Sequence, residues 1–133
     1  MLMRGCFFSM DQKFAYTLAT ENRKKSYLIK WSNKGGFTQK EKQCEPEEVG
    51  VVHNNTVTGL CVSHLGDKIG IRTSDGFVKV ISSGKIENPS FLVNEKRHRM
   101  PVTTLCFKHD SISAQATEVI SGSSDYTYNI ISC

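Results

Sequence analysis

Several absences narrow the reading of this sequence before any motif does. No C-x-x-C occurs, and the five cysteines, Cys6, Cys44, Cys61, Cys106 and Cys133, are an odd number. Three of them sit inside apolar runs, where free cysteine packs as a small hydrophobe; this predicts a reducing, cytosolic setting and no disulfide framework. No stretch approaches about 18 continuous apolar residues, so no helical membrane span is expected. The opening MLMRGCFFSM is too short and too interrupted for a signal peptide. No G-x-S-x-G, Walker or G-x-G-x-x-G pattern is present, and no histidine–cysteine cluster has zinc spacing. Catalytic residues, cofactors and a bound metal are therefore not expected. Convincing 3.6-residue periodicity is missing as well, which predicts little or no helix.

What remains is a mildly basic globular chain. Its 133 residues suit one domain, with 38% hydrophobic and 23% charged residues. The net charge of +4 falls short of a dedicated nucleic-acid binder. No recognition helix or basic stripe is visible, so nucleic acid is not an expected partner. Two basic runs, Arg23-Lys24-Lys25 and Lys96-Arg97-His98-Arg99, fall between strands. They read as solvated loops, contact with an acidic partner or phosphate being the other reading. Asn54-Asn55-Thr56 matches a glycosylation acceptor that a cytosolic chain would not use.

A repeat organises the chain. VTGLCVS from Val57 returns as VTTLCFK from Val102, a step of 45 residues (57 to 102), each with a histidine four residues earlier, His53 and His98. Ser74, Asp75, Ile81 and Ser82 return at a step of 50 residues as Ser124, Asp125, Ile131 and Ser132, so the third unit carries an insertion near HDSISAQA, 109–116. A degraded earlier copy ends on Trp31-Ser32, in register with Ile81-Ser82 and Ile131-Ser132. Each unit is a set of short runs rich in Val, Ile, Phe, Tyr and Thr, separated by turn residues; Asp75-Gly76 is a strong hairpin signal. Phe37–Lys40 and Phe91–Asn94 are placed as more polar outer strands.

Four strands per 45–50 residues predict an all-β, WD-repeat-type β-propeller fragment of about three four-stranded antiparallel blades, at about 3–41, 57–94 and 102–133. Blades of this type resemble one another in a buried polar network. The second unit offers His53, Thr73 and Asp75 for it, and the third offers His98, Ser123 and Asp125. The tryptophan place survives only as Trp31. These positions recur, whereas an active site would occur once, so the network reads as structural.

The ordered series SYLIKWSNKGGF, VTGLCVSHLGDKIGIRTSDGFVKVIS, RHRMPVTTLCF and EVISGSSDYTYNIIS is more specific. It resembles the C-terminal part of the endoplasmic-reticulum guanine nucleotide exchange factors of the coat-protein-complex-II pathway, the prolactin regulatory element-binding protein family. The resemblance implies a parent propeller on the cytosolic face of that membrane, anchored by a helix outside this chain. It implies a Sar-type small GTPase as partner, with loss of GDP promoted by an early blade. No residue of this chain matches that exchange element, so the chain alone is expected to be inactive. A WD-repeat scaffold without exchange activity is the alternative. Three blades cannot close a ring. Their open flanks predict a homo-oligomer, such as two chains forming a six-bladed ring, the alternative being an open wedge.

Overall fold

The computed structural model describes residues 2–9, 13–32 and 45–133. Every element among them is a strand. The first sheet is a meander of β1 (Leu2–Phe8), β2 (Phe14–Glu21), β3 (Lys25–Ser32) and β4 (Glu45–His53). The second contains β5 (Val57–Val62), β6 (Lys68–Thr73), β7 (Phe77–Ser82) and β8 (Phe91–Lys96). The third contains β9 (Val102–His109), β10 (Ala116–Ser123) and β11 (Tyr128–Ser132). Every neighbouring pair within a sheet is antiparallel. Among the described residues no helix is long and apolar enough to cross a membrane.

One boundary differs from the expectation. The first sheet runs on to His53, beyond the unit end placed near residue 41, and Phe37–Lys40 lies outside the described residues. The acidic stretch ahead of VGVVH disguised a strand in which Gly50 and Val52 face inward while Val49 and Val51 face out. The third sheet has three strands, in the order β11-β10-β9, as expected for a last unit that lacks an outer strand.

The apolar alternation explains how the sheets stack. Tyr16, Leu18, Leu28 and Val52 from the first sheet meet Val57, Ile69, Ile71 and Ile81 from the second. On the opposite face of the second sheet, Val78, Val80 and Val93 meet Val102, Leu105, Phe107, Val119 and Ile131 from the third. The second sheet is thus covered on both faces, which is why FVKVIS and KIGIRT are apolar nearly throughout and lack the alternation of a half-exposed sheet. Gly70 lets the second and third sheets approach, because a Cβ there would lie 2.9 Å from Leu105 and 2.7 Å from Cys61 Sγ. Burial pushes the Cys61 thiol up to about 12, so it packs as a neutral hydrophobe.

Polar bonds cross both junctions. Thr58 Oγ1 donates to Val102 O at 2.7 Å, Arg72 Nη1 to Thr103 O at 2.7 Å, and Lys68 Nζ to Ala116 O at 2.8 Å. Between the first and second sheets, the Ile86 amide donates to Glu48 Oε2 at 3.0 Å.

Two faces carry exposed apolar side chains among the described residues. On the first sheet, the face turned from the second exposes Val49 and Val51, paired with the buried Ile29 and with Tyr27. On the third sheet, Ile120 stands between Cys106 and Ile130 on the outward face.

Candidate functional site

The polar groups singled out by the repeat gather at one end of the stack, where the hairpin turns meet the connections between sheets. In the second unit the sharp turn after β6 aims Asp75 back at His53, the last residue of β4. His53 Nε2 lies 2.8 Å from Asp75 Oδ1, and Thr73 Oγ1 donates to the same oxygen at 2.6 Å. An ionised carboxylate only accepts, so Nε2 carries the proton. Partial burial pushes the Asp75 carboxyl up, but the bonds from Thr73 and His53 outweigh it and hold it below the usual carboxylate range. Burial also lowers His53, against the opposing pull of Asp75. The structure brings His53, Thr73 and Asp75 together, with Thr73 reaching the histidine only through the carboxylate.

The third unit is wired differently. His98 Nε2 bonds Ser121 Oγ at 2.8 Å, and Nδ1 bonds Thr127 Oγ1 at 2.9 Å. Thr127 gives its hydroxyl proton to Asp125, so the Nδ1 proton is the donor to Thr127. That hydroxyl bond, with the Arg99 and Thr127 amides, holds the Asp125 carboxyl well below the usual range. Ser123, expected in this set, does not touch His98. It donates to Pro101 O at 2.9 Å and receives the Asp125 amide at 3.2 Å. Ser121 is the histidine's partner, and the matching place in the second unit is the apolar Ile71.

Trp31 belongs to the first unit, where Nε1 donates to Thr17 Oγ1 at 2.8 Å. The network is therefore divided by repeat unit: the first keeps the tryptophan half, and the second and third keep the histidine half, with His53 reaching in from the end of β4.

Sequence reasoning missed Lys79, though a lysine alone in FVKVIS was a signal. It is 6% exposed. Its Nζ donates to Val52 O at 2.7 Å and lies 4.8 Å from the Phe91 ring centroid. Burial lowers its pKa, with Asp75 opposing. Lys79, His53, Asp75, Phe77, Phe91 and Asn94 line a cleft of about 510 Å³ at the junction of the first two sheets.

These groups are engaged by the framework. Among the described residues no buried side-chain nitrogen or oxygen lacks a hydrogen-bond partner, and no set of three His, Cys, Asp or Glu side chains could hold a metal. The arrangement clasps each hairpin turn to the connection entering its sheet. Ser121 Oγ does stand beside His98 Nε2, but both side chains are buried, at 1% and 2% exposed, so the pair holds the turn within the fold. A scan against protein-family models and a search of curated proteins both return no match for this chain.

Both clasps should register in stability measurements. His98→Ala leaves the buried Ser121 hydroxyl without its partner and should cost about 2 kcal/mol in urea unfolding. Acid should weaken the fold in two stages. The lowered His53 value makes stability fall as pH drops below its unfolded value of about 6.5. The lowered Asp75 and Asp125 values hold stability above about pH 4, which is then lost as pH falls through their folded values. Thermal unfolding followed from neutral to acidic pH checks both stages. His53→Gln should remove the first.

Proposed function

We propose that the chain is part of a WD-repeat β-propeller whose role is to bind proteins. The single observation carrying this reading is the recurrence of stacked meander sheets with a histidine–aspartate clasp at the same turn of the second and third units. The residues are used to hold turns in place, and that construction suits a rigid platform for partners.

The narrower reading rests on the ordered resemblance of the three units. In it the chain is the C-terminal portion of an endoplasmic-reticulum exchange factor for a Sar-type small GTPase, which starts coat assembly on the cytosolic face of that membrane. The sheets here would support an exchange element carried by an earlier blade, and a membrane anchor would lie outside these residues. Release of a fluorescent GDP analogue from a Sar-type GTPase tests this. The longer protein containing these units should accelerate release, and the 133-residue chain alone should not. Failure of the longer protein sinks the exchange reading and leaves the scaffold. Acceleration by the chain alone would mean that the active element has been misplaced.

The two open apolar faces are where neighbouring blades would pack. In the isolated chain they are surfaces for self-association, which light scattering should detect as dimer or larger. Val51→Lys and Ile130→Lys should each shift the population towards monomer. A monomer at high concentration in the unsubstituted chain would contradict this.

A further inference from the structure

The two basic runs, separate in the sequence, lie on one continuous rim. The β2–β3 turn carries Arg23 and Lys24, beside Lys25 at the start of β3. Arg23 and Arg4 line one concavity with Thr56, whose carbonyl receives the Ser74 amide of the next turn. Gly76 O of that turn receives the Arg97 and His98 amides. The Arg99 amide in turn reaches Asp125 on the β10–β11 turn. The rim thus runs past all three sheets, through a shared concavity, backbone bonds at the second turn and the Arg99 amide bond to the Asp125 carboxylate.

Its charge is net positive, with more cationic side chains than carboxylates. Arg4, Arg23, Lys24, Lys25, Lys96 and Arg99 are exposed and form no ion pair among the described residues. The rim's carboxylates are already engaged: Asp75 with His53, Asp125 with Thr127, Glu95 with Arg97 at 2.9 Å, and Glu21 with the Tyr27 hydroxyl at 3.1 Å. The opposite end, by contrast, mixes signs through Asp67, Lys85, Glu87 and Asp110.

The rim also has an anchor. Tyr126 is fully exposed and held at φ +68°, an uncommon conformation for a bulky residue. With Arg99, Met100, Ser124 and Asp125 it forms a concavity of about 390 Å³. Tyrosine and arginine around a small apolar pocket are the side chains that dominate protein interfaces.

We propose that this rim binds an acidic protein segment, with an apolar side chain in the Arg99–Met100–Tyr126 concavity and carboxylates on Arg4 and Arg23–Lys25. Two sheet spacings separate the clusters, about 20 Å, which an extended segment of six or seven residues spans. The interleaved carboxylates disfavour a uniformly charged phosphate polymer, and the described residues offer strands and turns with no recognition helix, which disfavours duplex DNA. This reading does not depend on the exchange activity.

Fluorescence anisotropy tests it, using the whole chain and a labelled ten-residue peptide of glutamates with one central leucine. Binding should weaken with salt. It should fall about tenfold in the Arg99→Ala/Tyr126→Ala double variant. It should fall similarly when Arg23, Lys24 and Lys25 are all replaced by alanine. All five side chains are exposed, and circular dichroism confirms that the variants fold. No binding at low salt overturns the proposal, as does equal binding of a glutamine peptide or unchanged affinity in both variants. Tighter binding of a single-stranded oligonucleotide or of anionic phosphatidylserine vesicles would overturn the assignment to an acidic protein.

Discussion

Gly76→Ala should destabilise the chain by about 4 kcal/mol in urea unfolding. Gly76 ends the Asp75-Gly76 turn at φ +91°, where a Cβ is disfavoured by roughly 1–2 kcal/mol. Steric overlap adds the greater part of the cost. A Cβ there would stand 1.9 Å from His98 O and 2.7 Å from its carbonyl carbon, both backbone atoms that cannot rotate away. Relief requires moving the connection that enters the third sheet. That movement would stretch the bonds from the Arg97 and His98 amides to Gly76 O, at 3.0 and 3.2 Å. Gly66 supplies the control. It has φ +76° and nothing within 4 Å of an added Cβ, so Gly66→Ala should cost only about 1–2 kcal/mol. The difference between the two variants isolates the contact between turn and connection.

Ile71→Ala should cost about 3–4 kcal/mol. Ile71 has no exposed surface and lies in the cluster formed with Leu18, Leu28, Val57 and Ile81 between the first and second sheets. Removing three carbons there leaves a cavity bounded by two sheets whose backbones are fixed by their own ladders, so collapse is limited. Ile130, 54% exposed on the open face of the third sheet, should tolerate alanine within about 0.5 kcal/mol in the monomer. Equal losses at both positions would mean that the second sheet is not the covered one.

Much of this architecture was legible because local and global signals agree. Short β-branched runs bounded by Gly, Asp and Ser can satisfy their backbones only by pairing with neighbours. The hairpin at Asp75-Gly76 and the outer strand at Phe91 lie where those signals put them. β4 was harder, since its first residues are acidic and proline-containing and its apolar half is short. The polar network was legible as a set of residue types but not in its wiring. Ser121 and Ser123 are both serines on one strand, two residues apart, and the choice between them depends on how far along the strand the histidine reaches. Lys79 illustrates the opposite limit. A charge amid apolar residues is read as a solvated position, yet its amine lies over the Phe91 ring and finds a carbonyl of the neighbouring sheet.

The proposal of a propeller-type binding platform depends on the stacked order of the sheets, the second being enclosed by the first and third. Native-state amide hydrogen exchange, resolved by strand, tests that order most directly. The slowest amides should belong to β6 and β7, exchanging only with global unfolding, while the edge strands β1 and β11 exchange much faster. Protection in β6 and β7 no greater than in β1 and β11 would contradict the stack and the platform built on it.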